Sequence, residues 1–344
     1  MKIANREIGP DVKPLVIAEI GINHGGDLNN AKKMVELAAK SGAECIKHQT
    51  HFVDDEMTDE AKSIYPPNAK VSIWEVIEQS ALSKDDEISL KEFAEDLGLI
   101  YLSTPFSRSA ADFLAEIGVP AFKIGSGESD NHPLIRHIVG YGKPVILSTG
   151  MQSIASIEGA VSILRDSGID FALLECTNLY PSPPEIVSLK GILELRAAFP
   201  DAIVGFSDHS IGSAMALVSV ALGASIIERH FTDSRYRIGP DISCSMDPAE
   251  LRWLIDRSEE VHTALLNDKL RSNSEEAVYR FARASVVADK DLNAGHVLSE
   301  SDIWVRRPGN GEIPAFEFDS VVGMKTTRDL QRNTQLRWSD LTKV

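Results

Sequence analysis

The chain has 344 residues, 43% apolar and 25% charged, with a formal net charge of −16. That length allows one large barrel plus a small domain, or two medium domains, with a sizeable core in either case. The acidic balance argues against a phosphate-backbone partner, so no nucleic acid is expected, although lysines inside a pocket can still hold a small anion. The N-terminus has no apolar signal core, and no run of about 18 apolar residues occurs, so no membrane span is expected. The three cysteines, Cys45, Cys176 and Cys244, are widely spaced and form no Cys-x-x-Cys pair. That usage fits a reducing, cytoplasmic compartment.

In chain order, β-branched runs predict strands at 15–22, 45–50, 100–104, 121–127, 144–150, 171–177, 202–210 and 225–231. Helical stretches with apolar residues at i, i+3 and i+4 lie between them, as in 31–41 and 154–167. Several end at a glycine suited to a left-handed cap: Gly42, Gly98, Gly118, Gly168 and Gly223. Eight strand–helix units in about 250 residues match a (β/α)8 barrel. An open doubly wound sheet is the alternative, but it gives no reason for polar residues at the C-terminal ends of all eight strands. The connection 51–79 is long, with no obvious strand or long helix, and reads as a lid or substrate wall rather than a decorative insertion. A helix over 248–266 is followed by a polar linker. Short apolar runs then alternate with turn clusters, which predicts a small, mostly β domain. The expected boundaries are 1–266 for the barrel, 267–283 for the linker and 284–344 for the small domain.

Barrel strands carry their chemistry at their C-terminal ends. Those ends offer Glu19 and Asn23-His24, then Lys47 and Gln49, Thr104, Lys123 and Ser126, Ser148, and Asn178 with Tyr180. The last two strands supply Ser207 and His209, then Glu228 and His230. Strand side chains alternate, so Ser207 shares a face with His209, and Glu228 with His230. Two histidines at neighbouring strand ends beside a carboxylate can hold a divalent metal with open positions. The plainer alternative is two buried, hydrogen-bonded imidazoles. A lysine inside an apolar strand needs an anion. Glu19 and Glu228 can serve Lys47 and Lys123. The hydroxyls of Thr104, Ser126, Ser148 and Ser207 instead favour a phosphate cradle. A Schiff-base aldolase is the mechanistic rival, since a desolvated lysine can be a nucleophile.

Seven segments carry a resemblance: 17–24 (Ile-Ala-Glu-Ile-Gly-Ile-Asn-His), 47–50 (Lys-His-Gln-Thr), 103–106 (Ser-Thr-Pro-Phe), 123–128 (Lys-Ile-Gly-Ser-Gly-Glu), 207–209 (Ser-Asp-His), 228–230 (Glu-Arg-His) and 307–311 (Arg-Pro-Gly-Asn-Gly). In this order and end to end, the chain resembles the bacterial sialic acid synthases. The run 47–51 followed by 54–57 looks like the N-acetylneuraminate branch, with the legionaminic and pseudaminic acid synthases sharing the scaffold. The resemblance implies a TIM barrel with a C-terminal antifreeze-like (SAF) domain, in a domain-swapped homodimer. It implies a transferase that condenses phosphoenolpyruvate with N-acetylmannosamine, releases phosphate and uses a divalent cation, Mn2+ or Mg2+. By position, His209 and His230 would be the metal ligands. Lys47, Thr104, Lys123, Ser126, Ser148 and Ser207 would hold phosphoenolpyruvate. Glu19, Gln49, Asn68, Asn178, Tyr180 and Asp241 would face the sugar, with Phe281 and Arg307 reaching over from the partner subunit. Glu228, Glu19, Lys47 and Lys123 would do the catalytic work. Many members carry His before the cysteine matching Cys176; here Glu175 stands there, and its alternation leaves open whether it faces the barrel interior or the helices. A metal-dependent pyruvate aldolase, and a non-enzymatic antifreeze or interaction protein, are the competing classes.

Overall fold

The computed structural model describes residues 1–66, 69–269 and 272–344. The eight strands are β1 (Leu15–Gly21), β2 (Cys45–Thr50), β3 (Ile100–Pro105), β4 (Phe122–Ile124), β5 (Val145–Ser148), β6 (Phe171–Cys176), β7 (Ile203–Ser207) and β8 (Ile226–His230). They form one parallel sheet in the order β3-β2-β1-β8-β7-β6-β5-β4, and the terminal strands β3 and β4 lie side by side. Every sequence neighbour is therefore a spatial neighbour, and β8 returns to β1. That is a (β/α)8 barrel, not an open doubly wound sheet. The helices after each strand are α1 (Leu28–Lys40), α2 (Lys84–Asp96), α3 (Arg108–Glu116), α4 (His132–Val139), α5 (Ile154–Ser167), α6 (Leu189–Ala198), α7 (Ala214–Ala221) and α8 (Pro248–Leu265). The five expected helix-end glycines all adopt positive φ.

Alternation along each strand divides the barrel wall into two faces. Val16, Ala18 and Ile20 of β1 point outward into the layer shared with the helices. Leu15 and Ile17 point inward, where they join Cys45, Leu102, Ile146, Leu174 and Ile226 in a separate apolar cluster. This inner cluster fills the lower half of the barrel, and Ile3 and Ile8 of the N-terminal segment pack into it. The short hairpin Lys2–Ile3 with Arg6–Glu7 thus brings apolar residues to the bottom of the interior. One step up each strand, the inward residues become polar: Glu19 on β1, Lys47 on β2, Lys123 on β4, Ser148 on β5, Ser207 on β7 and Glu228 on β8. The apolar floor is what allows charged groups above it to be held rigidly and away from water.

The segment after β2 is more ordered than expected. It contains a short helix (Val53–Glu56), a 3-10 turn (Asp59–Ser63) and an eight-residue helix (Ile73–Ser80). The last is fixed by a capping box in which Ser72 and Glu75 satisfy each other's backbone amides. No strand and no long helix occur there among the described residues, as expected; the short elements are what the sequence reading did not place.

The chain separates into two compact units, Met1–Asn267 and Asp268–Val344. The stretch expected as a linker carries a 3-10 turn (Asn273–Glu275) and a short helix, α9 (Glu276–Ala282). Beyond it, β9 (Ser285–Ala288) pairs antiparallel with β10 (Ile303–Arg306). A second antiparallel pair joins Lys325–Thr326 to Leu341–Thr342. A separate core of Val286, Leu292, Ile303, Ile313, Leu330 and Leu336 holds this small, mostly β unit together.

Candidate active site

The register between strands decides which polar groups meet. Glu19 on β1 stands opposite Lys47 on β2 and opposite His230 on β8. Glu228 stands opposite Ser207 on β7. A β-bulge follows Glu19, and Gly21 beyond it has φ +48°. A side chain at Gly21 would press on the Gln49 amide and the His230 ring. The result is a cavity of about 120 Å3 at the C-terminal ends of the strands. It is lined by Glu19, Lys47, Gln49, Thr104, Lys123, Ser126, Ser148, Asn178, Tyr180, Ser207, His209, Glu228 and His230, together with Phe106 and Cys176.

The two lysines are held differently. Lys47 Nζ lies 2.6 Å from Glu19 Oε1 and donates to Thr104 Oγ1 at 3.1 Å. Burial works to lower the pKa of Lys47, but the Glu19 and Glu228 carboxylates outweigh it and raise it overall. Glu19 is held well below the usual carboxylate range: Lys47 and His230 together with hydrogen bonds from Lys47 and Gln49 outweigh the opposing effect of burial. Lys123 has no such close partner. Its Nζ donates to Ser148 Oγ at 2.7 Å and to its own strand's Ile124 carbonyl at 3.1 Å, and Glu228 Oε1 is 3.6 Å away. Burial, aided by Lys47, pulls the Lys123 pKa below its ordinary value. Glu228 sits between the two ammonium groups and accepts from Ser207 Oγ at 3.2 Å. Its second oxygen is buried without a hydrogen-bond partner among the described residues.

His209 and His230 face each other with ring centroids 5.4 Å apart, and Tyr180 packs on the first at 4.1 Å. His209 Nδ1 is 2.9 Å from the Thr177 carbonyl. A carbonyl only accepts, so that nitrogen carries the proton and Nε2 presents its lone pair. His230 Nδ1 is buried with no hydrogen-bond partner among the described residues. Asp241 Oδ2 and Glu19 Oε2 stand 3.9 Å and 3.7 Å from the two nitrogens of this ring. Burial pushes the Cys176 thiol up to about 12. Two imidazoles, one with an orphaned nitrogen, flanked by carboxylates, fit a divalent cation of the Mn2+ or Mg2+ type. Among the described residues, no group of three or more His, Cys, Asp or Glu is arranged to hold a metal ion, so a cation here would rest on the two imidazoles and on ligands from outside the protein. Such a cation would keep open positions.

A second cavity of about 330 Å3 adjoins the first and shares Gln49, Phe106, Tyr180 and His230 with it. Its outer wall comes from the segment after β2: Pro66, Ala69, Ile73, Val76 and Ile77, with Ile22 and Pro240 opposite. Asp241 lines this annex rather than the inner cavity. His51 stacks on Phe106 at 4.4 Å and is fixed by Glu56 at 2.8 Å. The described part of the segment therefore walls this second cavity, and the helix Ile73–Ser80 supplies three of the residues.

Other sequence candidates fall elsewhere. Asn23 donates to the Phe231 carbonyl and Ser245 Oγ, a structural tie between β1 and β8. His24 turns away to His48, with ring nitrogens 3.1 Å apart, and burial drives its pKa down to about 3. Asn68 lies outside the described residues. Phe281 and Arg307 belong to the second compact unit. Glu175 faces the helices: its carboxylate occupies the space that a side chain at Gly191 of α6 would need. Burial, with Glu194 nearby, raises it to about 7.

The Glu175 shift sets a stability trend. A raised folded-state pKa means that the folded protein holds this proton more tightly than the unfolded chain, so stability falls as pH rises from the ordinary carboxylate range through about 7. Glu175→Gln, which keeps the neutral form, is expected to stabilise the fold at pH 8 by about 1–3 kcal/mol, seen as a higher melting temperature, and to change stability little at pH 5. Calorimetric scans across pH check this; an equal effect at both pH values would contradict it.

Comparison with known proteins adds to this geometry. The NeuB family model matches residues 34–269, and the SAF domain model matches residues 283–342. The chain belongs to the NeuB family. Among relatives, the N,N'-diacetyllegionaminic acid synthase of Campylobacter jejuni is 36% identical, over 94% of this chain and 99% of its own. The N-acetylneuraminate-9-phosphate synthase of Homo sapiens is 33% identical, over 93% of this chain and 90% of its own. Among solved structures, the N-acetylneuraminic acid synthetase of Leptospira borgpetersenii, in complex with citrate, superposes with TM-score 0.74 at 33% identity, over 81% of this chain and 95% of its own. The barrel with its C-terminal SAF domain is thus a family architecture. No helix among the described residues is long and apolar enough to cross a membrane.

Proposed function

We propose that this protein joins phosphoenolpyruvate to an open-chain N-acylated amino sugar and water, giving a nine-carbon keto acid and phosphate. The observation that carries the reading is a pair of buried lysines, Lys47 and Lys123, ringed by hydroxyls directly beside two facing imidazoles. The named relatives support it as synthases of such acids.

In the proposed reaction, C3 of phosphoenolpyruvate bonds to C1 of the sugar aldehyde. Water then adds at C2, and the C2–O bond to phosphate breaks. Lys47, Lys123, Thr104, Ser126, Ser148 and Ser207 would hold the carboxylate and phosphate, neutralising charge by fixed donors. Glu228, poised between both lysines, would accept the proton of the attacking water. Glu19, Gln49, Asn178, Tyr180 and Asp241 would orient the sugar. Lys47, Lys123, Glu19 and Glu228 balance one another, so a polyanionic substrate needs a further positive charge. Bound by His209 and His230, Mn2+ or Mg2+ would supply it and act as a Lewis acid toward the aldehyde. The proposal includes a cytoplasmic homodimer in which one chain's SAF domain serves the other's barrel and brings Arg307 and Phe281 to the sugar. Charge supports this: residues 268–344 hold 12 acidic and 12 basic residues, so the −16 lies wholly on residues 1–267. Arg306, Arg307, Arg328 and Arg337 line a basic pocket on the smaller unit.

N-acetylmannosamine is the sugar expected from the sequence. The annex favours a second reading, because Ile22, Ile73, Val76, Ile77 and Phe106 suit methyl groups better than a terminal hydroxyl. A 2,4-diacetamido-2,4,6-trideoxy sugar offers such methyls. With purified protein, phosphoenolpyruvate and Mn2+, the trideoxy sugar is expected to give the higher kcat/KM, by about tenfold or more. Mass spectrometry identifies the product, and phosphate release should match it mole for mole. Pyruvate serving equally well would replace this reading with an aldolase; a preference for N-acetylmannosamine would overturn only the sugar choice.

A further inference from the structure

We infer that Arg229 is a positioning residue that fixes the spacing of His209 and His230 and thereby sets the affinity for the divalent cation. The inference rests on the metal reading above.

Arg229 lies on β8 between Glu228 and His230, so its side chain leaves the opposite face of the strand. It is 1% exposed, an extreme degree of burial for a guanidinium. Its Nη2 donates to the Ser210 carbonyl at 2.6 Å and to the Cys244 carbonyl at 3.3 Å. Its Nη1 donates to Ser213 Oγ at 2.7 Å and to Glu250 Oε1 at 3.2 Å. Its Nε faces Asp208 Oδ2 at 3.3 Å. Asp208 Oδ1 in turn accepts the Ser210 amide at 2.9 Å, closing the turn around His209.

One planar cation therefore ties three segments together: the strand bearing His230, the turn bearing His209, and the loop that contains Asp241. Arg229 is itself the chain neighbour of His230, and its guanidinium contacts both chain neighbours of His209, Asp208 and Ser210. Asp208 balances its charge, and Glu250 is shared with Arg235, so its influence on the neighbouring site is geometric rather than a matter of net field. Lysine cannot replace it, since an ammonium lacks the flat fork that donates to four acceptors at once while its Nε faces the Asp208 carboxylate. Metal affinity depends steeply on such outer supports.

The test measures Mn2+ binding by calorimetry and by the Mn2+ electron-resonance signal, without turnover, in the full-length protein. Arg229→Lys is expected to weaken Mn2+ binding by about 10–100-fold, while phosphoenolpyruvate affinity measured without metal stays within about twofold. A folded Arg229→Lys protein that binds Mn2+ like wild type overturns the proposal. Asp208→Asn covers the case in which that variant does not fold: the amide oxygen can still close the turn, but an NH2 group now faces the guanidinium. Weaker Mn2+ binding by several-fold is expected, and unchanged binding again overturns the proposal. Wild-type protein that fails to bind Mn2+ overturns the metal reading itself, an outcome distinct from an effectless substitution.

Discussion

Lys123→Met is expected to weaken phosphoenolpyruvate binding by at least about 100-fold while leaving the empty protein as stable as wild type or more so. The two effects have one cause. The ammonium is buried, its nearest carboxylate oxygen (Glu228 Oε1) is 3.6 Å away rather than at hydrogen-bond distance, and it is pulled below its ordinary pKa, so its burial costs stability in the absence of a ligand. Methionine fills the same space without that cost. The substrate loses a charge-assisted contact in a dry pocket, and two decades correspond to about 2.7 kcal/mol. Lys47 behaves differently: removing it takes from Glu19 an ion pair at 2.6 Å, whereas Glu228, 3.6 Å from Lys123, keeps Lys47 at 3.9 Å. Proton bookkeeping gives a second readout. A polyanion raises the depressed pKa of Lys123, so binding takes up a proton wherever the free group is partly neutral, and affinity falls as pH rises there. Calorimetry in buffers of different ionisation enthalpy measures both the affinity and the uptake. A loss that falls on the sugar, with phosphoenolpyruvate binding unchanged, would show that the anion cradle is misassigned.

His230→Ala is expected to remove metal-dependent turnover, by about 1,000-fold or more in kcat/KM, with a melting temperature close to wild type. The ring's Nδ1 has no hydrogen-bond partner to lose, and its nearest carboxylates stand 3.7 Å and 3.9 Å away. Little of the fold depends on it. Chelation should reproduce the loss in the wild-type protein, and added Mn2+ should reverse it there but not in the variant. Undiminished turnover in chelator-treated wild type would remove the metal from the reaction.

Much of this site was legible because barrel strands obey a two-residue period. Once Glu228 and His230 are placed on β8, alternation puts them on one face, and strand order does the rest. Lys47 and Lys123 stood out for the same reason, as charges at positions where neighbours are apolar. Other features depend on information that a strand's own period does not carry. Whether Glu19 meets Lys47 depends on register between strands and on the bulge after Glu19. The web around Arg229 joins residues 208, 210, 213, 244 and 250, whose proximity follows only from the closed fold. The side on which Glu175 lies depends on Gly191 of the following helix, whose missing side chain leaves space for the carboxylate. The helix Ile73–Ser80 was the one avoidable omission, since Ser72 and Glu75 spell a capping box. Conversely, His24 looked reactive at a strand end but pairs with His48 away from the cavity.

The annex wall and the ionic cradle come from different parts of the chain: one from the insertion after β2, the other from the strand tips. On the proposed reaction, substitutions at Pro66, Ala69, Ile73, Val76 and Ile77 would change which sugar is accepted without disturbing the groups that would hold phosphoenolpyruvate. A lineage would then shift its substrate through a few side chains while the bond-making apparatus is inherited intact.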